Sequence, residues 1–459
     1  MLNPKITVYI TAYNYGKYVE RSIDSVINQS IDSWELIVIN DGSTDDTKQI
    51  IEKYRTHPKI KIVNQENKGL NITNNIALRM SQGDYFMRLD ADDFLTKDAL
   101  EKLSDYLDKN HSKDLVYPNY YEIDDDDNIL SEVVLKPIEE INLLDMPAHG
   151  ACTMFRTKVL RMLGGYIEDY SCQDGYELWL RFIQNHTPGN IEDKLFYYRQ
   201  HPISLSKNKE KILKTRMKIK DDFIKSNTDG IIPNVTAIVL ASDQSTLELK
   251  HPLFSLAGKP LIYYTLDELR KTKNISNIIV SSESKEILDY ADKMIKNISH
   301  NRVLDGSINL SKREDYFLAI KKFLNNSHPE IQSDYFCILN VNSPLRTAEH
   351  IDWAVNTVKI FDLDSLISVD EELSNLYKHT NNGLKEFETN ESKIKIERDP
   401  IFKENGAITI FKSNQNYLRS FEKKSKVGHV CLLAHESVRI NSHYEHWLAE
   451  KIIESRKPF

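Results

Sequence analysis

Residues 5–13, "KITVYITAY", form a β-branched and aromatic run that predicts a strand, and residues 34–41, "WELIVIND", form a second that runs into Gly42. Between them Val19, Ile23, Val26 and Ile27 fall at helical spacing. Strand, helix and strand within about forty residues read as a βαβ unit with a parallel sheet. The alternation continues through a helix at "TKQIIEKYRT", a short strand at "IKIVNQ", a helix at "NITNNIALRMSQ" and the strand "DYFMRLD". This opening stretch is therefore expected to be an α/β half of the nucleotide-binding type.

The pattern then becomes mixed. A helix is predicted at "KDALEKLSDYLDKN" and strands at "DLVYPNYYEI" and "ILSEVVL", with "DDDDN" between the two strands. A cation could bind residues 124–127, but Asp and Asn suit a solvated hairpin tip, which is the reading taken, and no function is assigned to them. Residues 206–234 are dominated by Lys, Asp, Asn and Ser; "KEKILKTRMKIKDDFIK" predicts a helix, and "SNTDGIIPN" carries Gly and Pro. This is the best linker candidate. Afterwards "NVTAIVLASD", "PLIYYTLDELRKT", "NIIVSSES" and "KEILDYADKMIK" restart the α/β alternation. The expected organisation is a first domain over 1–225, a linker over 226–233 and a second domain over 234–459, each α/β with a mostly parallel sheet.

Composition narrows the class. A chain of 459 residues with 40% apolar and 28% charged residues can bury a core in each half. The 68 acidic residues nearly balance 60 basic ones, leaving a net charge of -8, so no overall field favours nucleic acid and no nucleic-acid partner is expected. Cys152, Cys172, Cys337 and Cys431 stand far apart without C-x-x-C spacing, which suggests neither a disulfide framework nor a zinc site. The start "MLNPKITVYI" lacks a signal-peptide pattern, and no apolar stretch approaches a membrane span. The expectation is a cytoplasmic protein, with peripheral association at the inner face of the membrane left open.

The segment "FMRLDADDFL" carries Asp90, Asp92 and Asp93 at the end of an apolar strand. In parallel α/β sheets ligands bind beyond the carboxyl ends of strands, and carboxylates this close repel one another unless a counter-charge is present. A divalent cation holding a diphosphate supplies it: Mg²⁺ and Mn²⁺ take one or two carboxylates plus phosphate oxygens. On spacing alone, the same residues serve equally well as a cap for the following helix.

Other segments bear on that choice. "ITAYNYGKYVERSIDSVINQS", "IVINDGSTDDT" and "NKGLNITNNIALRMSQGDYFMRLDADD", followed by "HGACTMFRTKVLRMLGGY", "QDGYELWLRF" and "YYRQHPISLS", resemble the family 2 inverting glycosyltransferases of GT-A fold, in the same order. The likeness spans nearly all of residues 5–206. It implies an enzyme that uses a nucleotide-diphosphate sugar donor, a glycan or glycoconjugate acceptor and Mn²⁺ or Mg²⁺. Carried onto this chain, it implies that Thr11, Tyr13 and Asp41 line the nucleotide pocket, with Asp41 accepting from the base. It implies that Asp90 binds the ribose, that Asp92 and Asp93 hold the metal with help from His201, and that Asp174 is the catalytic base. Gln173 stands where the motif usually has Glu. Asp174 could instead cap its helix, Asp41 could be a turn residue and His201 a structural one, while Tyr15 and Trp179 read as packing residues.

The second half resembles the acylneuraminate cytidylyltransferases through "VTAIVLASDQSTLELKHPLFSLAGKPLIYYTL", "ILNVNSPLRTAEHID" and "ENGAITIF". With the first resemblance, it implies two tandem GT-A or Rossmann-like domains. The loop that cradles CTP phosphates in that family has Ser242, Asp243, Gln244, Thr246 and Leu247 in place of glycines and basic residues, and Asp243 and Glu248 would repel a triphosphate. Arg439 and Asn441 occupy the metal-binding Asp-x-Asp positions. A non-catalytic second domain is therefore expected. Arg302, Arg346 and Asn405 remain candidates for a remnant pocket, with a surface salt bridge as the other reading of Arg346.

The leading reading is a metal-dependent inverting glycosyltransferase, with UDP-sugar the favoured donor, acting in surface polysaccharide or glycoconjugate synthesis. A bifunctional enzyme that also makes a CMP-sugar and a catalytically inactive scaffold are the alternatives. The second resemblance leaves room for a homodimer through the second domain.

Overall fold

A computed structural model describes residues 4–135, 150–170, 172–201, 209–227, 233–242, 248–295, 301–305, 332–372, 376–380, 383–386, 401–413 and 425–456. The chain divides into two compact units, Met1–Arg216 and Met217–Phe459.

In the first unit the strands are β1 (Ile6–Ala12), β2 (Trp34–Asp41), β3 (Ile60–Gln65), β4 (Tyr85–Asp90), β5 (Phe94–Leu95), β6 (Leu115–Ile123), β7 (Ile129–Val133), β8 (Met154–Arg156) and β9 (Pro188–Arg199). Their order in the sheet is β3-β2-β1-β4-β8-β6-β9-β5, with β7 paired to β6. The β3-β2-β1-β4 half is parallel, as the strand and helix alternation requires, whereas β8 runs antiparallel to β4 and β6.

Alternation along the strands separates two cores. Ile6, Val8 and Ile10 of β1 and Leu36 and Val38 of β2 face one side; Tyr9, Ile37 and Ile39 face the other. The first side is covered by α1 (Gly16–Ile27), through Val19, Ile23 and Val26, while α2 (Thr47–Glu52) adds Ile51. Each such side chain contributes about 1.5–3 kcal/mol by leaving water. On the opposite side α3 (Leu70–Met80) contributes Ala77 and Leu78. Leu100, Leu103 and Leu107 of α4 (Ala99–Lys109) join the first core. Val159 and Leu160 of α5 (Thr157–Met162) and Leu178, Trp179 and Phe182 of α6 (Asp174–Phe182) join the second. Trp179 meets Tyr117 and Phe182 edge-on, the packing role expected of it.

The "DDDDN" segment is a hairpin tip: β6 and β7 pair antiparallel on either side of it, and the Asp124 carboxylate accepts from the backbone N–H groups of Asp126 and Asn128, both at 2.9 Å. The expected helix "KEKILKTRMKIKDDFIK" is α7 (Lys209–Asn227), and the division between units falls inside it. Its composition suggested a linker, but within the second unit Ile219 and Lys220 are fully buried, and Lys220 Nζ lies 5.3 Å from the centre of the Trp353 ring and 3.3 Å from Thr357 Oγ1. A long methylene stem lets a lysine occupy such a place, and this is invisible to a charge count.

The second unit repeats the architecture. Its main sheet has the order 301–305, 277–281, 235–240, 335–340, 401–412, 365–372, 427–431. The first four strands are parallel, and 401–412 runs antiparallel to both of its neighbours. Both units are thus mixed α/β with largely parallel sheets. Among the described residues no helix is long and apolar enough to cross a membrane.

Candidate active site

Parallel register brings the predicted ligand positions to one sheet edge: Thr11 at the end of β1 pairs with Ile39 on one side and with Asp90 on the other. The loop after β1 is tied to the loop after β2. Asn14 adopts a left-handed conformation (φ 62°) and its Oδ1 accepts from the Thr44 N–H at 2.8 Å, while the Gly16 N–H donates to Asp45 Oδ2 at 3.0 Å. A neighbouring loop thereby caps α1, which has no side-chain cap of its own. Tyr13 stands beside these ties and is 47% exposed, open to a ligand.

Asp41 is buried at the end of β2. Its Oδ1 accepts from the Lys68 N–H (2.8 Å) and Gln65 Nε2 (2.7 Å), and Oδ2 accepts from the Gly69 N–H (3.0 Å). Gly42 follows at φ +79°, and a Cβ there would lie 2.6 Å from the Asn67 backbone nitrogen, so only glycine lets the two loops approach this closely. Asp41 therefore organises residues 65–69, and a carboxylate with room for about four donors keeps capacity for one more.

The three carboxylates after β4 meet different surroundings. Asp90 is paired with Arg88, N···O 2.9 Å, and its carbonyl accepts from Ser22 Oγ at 3.1 Å. Oδ2 of Asp92 lies 2.8 Å from Nε2 of His201. Asp93 is set apart from that pair: it is 1% exposed, its Oδ1 accepts from the Arg199 N–H at 2.9 Å, and its Oδ2 meets no hydrogen-bond donor among the described residues. Burial, and then the charges of Asp92 and Asp90, hold its carboxyl well above the usual range. Asp93 was expected to share a metal with Asp92 and His201; its carboxylate lies buried beside the Arg199 N–H, whereas the side chains of Asp92 and His201 face each other.

Tyr15, read from sequence as packing, does pack against the core, and its ring also meets the His201 ring edge-on at 6.2 Å. Burial, then the charges of Asp92, Asp90 and Asp93, push its hydroxyl pKa upward. Tyr18 stacks on the imidazole, centroids 5.6 Å apart, and carries the Arg199 guanidinium 5.0 Å from its ring centre. Tyr18 and Arg199 were not legible as site residues; the only signal was their nearness in sequence to motif positions.

Asp174 opens α6, but its side chain lies outside the described residues. The cap position belongs to Gln173, at φ +63°, whose Oε1 accepts from Arg216 Nε at 2.7 Å.

In the second unit two of the remnant-pocket candidates, Arg346 and Asn405, bond within the protein. Arg346 is 2% exposed; Nη1 donates to the Ala407 carbonyl (2.6 Å) and Nη2 to Thr265 Oγ1 (2.8 Å), so it is neither a surface ion pair nor open to ligand. Burial pushes its guanidinium down to about 10. Asn405 accepts from Ser368 Oγ (2.6 Å) and donates to Ser437 Oγ (3.0 Å). Arg439 is exposed, with Nη1 2.8 Å from where a Cβ of Gly406 would be, and the Asn441 N–H donates to Glu445 Oε2 at 2.7 Å. Residues 243–247 and the Arg302 side chain lie outside the described residues.

Comparison with known proteins bears on both units. Residues 7–163 match Glycosyl transferase family 2, and residues 236–447 match Cytidylyltransferase. An uncharacterized glycosyltransferase of Methanocaldococcus jannaschii is 32% identical over 211 residues, which are 43% of this chain and 72% of that relative. The chain belongs to glycosyltransferase family 2. This family 2 glycosyltransferase is also 36% identical over 184 residues to a chondroitin synthase of Escherichia coli, 39% of this chain and 27% of that one. A chondroitin synthase of Pasteurella multocida is 30% identical over 185 residues, 39% of this chain and 19% of that one, so the family 2 chain spans about a quarter or less of these relatives. Among solved structures, S. aureus TarS 1–349 in complex with UDP-GlcNAc aligns at 16% identity and a TM-score of 0.42, over 84% of this chain and 99% of that one, a likeness too loose to bear on ligand or mechanism.

Proposed function

We propose that the first unit transfers a sugar from a nucleoside-diphosphate sugar, with UDP the favoured carrier, to a hydroxyl of a surface polysaccharide or glycoconjugate, with inversion at the anomeric carbon. The contact between Asp92 and His201 at the carboxyl edge of the parallel sheet carries this reading.

The donor set fits a metal shared with a diphosphate. One carboxylate and one imidazole stand within 2.8 Å, and among the described residues no group of three or more His, Cys, Asp or Glu forms a complete cage. Mn²⁺ and Mg²⁺ complete such a partial set with phosphate oxygens and water. Asp92 and His201 would hold the ion, which when bound neutralises the charge developing on the departing diphosphate. Asp90 takes the ribose, Thr11 and Tyr13 flank the nucleoside, and the spare lone pair of Asp41 accepts from the base. Asp174 takes the acceptor's hydroxyl proton as the new C–O bond forms at the anomeric carbon and the bond to the diphosphate oxygen breaks. Attack opposite the leaving group inverts the centre.

The second unit serves as a non-catalytic module in this reading. The internal hydrogen bonds of the Arg346 Nη groups and of Asn405, together with Arg439 over Gly406, support it. The test is release of UDP from a panel of UDP-sugars with Mn²⁺ and oligosaccharide acceptors. Acceptor-dependent release that Asp92→Asn abolishes is the expected result; no release from any donor, or release unaffected by that substitution, overturns the reading.

A further inference from the structure

The acidic tip over residues 124–127 does more than turn the chain. We propose that it is a positioning strap, fixing Asp92 through Arg199 and His201 through Tyr18. That these two residues hold the donor's metal rests on the function proposed above; the strap itself rests on the contacts.

Arg199 ends β9 opposite Ile123, the last residue of β6, so the parallel register delivers it to the base of the tip. It is 3% exposed. Its Nε donates to the Asp92 carbonyl at 3.0 Å, its Nη1 to the Asp124 carbonyl at 2.8 Å, and its Nη2 to the Asp127 carboxylate. Its own N–H holds Asp93. A buried guanidinium is tolerated only while its donors and charge are answered, and here Asp127 supplies the carboxylate. Removing that charge would loosen the arginine from the Asp92 carbonyl.

A second arm runs through Asp125. The Tyr18 hydroxyl and Lys17 Nζ both donate to its carboxylate, and the Tyr18 ring stacks on His201 and lies 5.0 Å from the Arg199 guanidinium. Arg21 adds a looser pair to Asp127, N···O 3.7 Å. Alternate carboxylates of the run therefore grip α1 and β9. Asp126, which lies between them and is exposed, has no side-chain partner among the described residues and serves as the control.

The experiment compares full-length Asp125→Asn, Asp127→Asn and Asp126→Asn with the unsubstituted chain. Hydrogen exchange followed by mass spectrometry, without ligand, reads residues 90–93 and 199–201. Mn²⁺ titration in the presence of UDP, read by electron paramagnetic resonance, gives the metal affinity. Asp127 is 40% exposed, so the fold is expected to survive its substitution, and unchanged exchange in β1 and β2 verifies this; Asp125→Asn tests the other arm independently. The expected result is faster exchange in both segments for Asp127→Asn and around His201 for Asp125→Asn, with Mn²⁺ affinity about fivefold weaker in each. Asp126→Asn should match the unsubstituted chain. Equal behaviour of all three variants overturns the strap. Failure of the unsubstituted chain to bind Mn²⁺ overturns the metal reading instead, and exchange alone then decides the strap.

Discussion

Nε2 of His201 lies 2.8 Å from Oδ2 of Asp92, a residue 109 positions earlier in the chain. Two β edges create the contact: β4 delivers the carboxylate, and β9, paired with β6, delivers the imidazole two residues beyond its end. Each group leaves the other a lone-pair or proton partner that a metal ion can displace.

Both residues should therefore be needed for metal affinity. His201→Ala and Asp92→Asn are each expected to weaken Mn²⁺ binding in the presence of UDP by about tenfold or more, within the range seen when a metal's surroundings are altered. Calorimetry measures this directly. Chelation by EDTA should stop sugar transfer, and added Mn²⁺ should restore it.

Asp41 joins fold and site. Asp41→Ala leaves three N–H donors without their acceptor, which is expected to cost about 1–3 kcal/mol of stability and to loosen residues 65–69. Asp41→Asn keeps a carbonyl oxygen and should lose less. Thermal denaturation gives the first quantity, and UDP titration shows whether nucleotide binding falls with it.

Alkaline stability should carry the signature of Tyr85. Burial, then the hydrogen bond its hydroxyl donates to Asp108 at 2.6 Å, push it from 10.0 up to about 12. The folded chain keeps this proton where the unfolded chain releases it, so the contribution is complete below pH 10 and is lost as the pH rises toward 12. Tyr85→Phe should be less stable near neutrality by about 1 kcal/mol and show a shallower decline above pH 10. Urea denaturation across that window checks both.

Arg346 should act as a bolt rather than a ligand contact. Arg346→Lys cannot reproduce two-ended donation to Ala407 and Thr265 and is expected to cost about 3 kcal/mol. A lowered Tm with no change in nucleotide binding is the expected outcome. CTP with Mg²⁺ titrated into the full chain should give no saturable heat and no pyrophosphate, whereas either signal would revive a synthetase role for the second unit.

The β1, β2 and β4 strands, α1, α3 and α4 were legible because each is a local period: alternation along strands that face two cores, and helical spacing of Val19, Ile23 and Val26. The hairpin at residues 124–127 was legible from turn chemistry. The two-residue β5 and the three-residue β8 were not, because they exist only through pairing with β9, β4 and β6. Nor was the buried Lys220 distinguishable from its solvated neighbours in a Lys-rich helix.

The sequence by itself determined the α/β alternation, the family motifs and the carboxylate-rich strand end, since these are written in residues close along the chain. Only the tertiary structure decided that Asp92 turns to His201 while adjacent Asp93 turns inward to Arg199, and that the acidic tip grips α1 and β9. Such choices depend on strand register between segments a hundred or so residues apart, where a shift of one position would send each side chain to the other face.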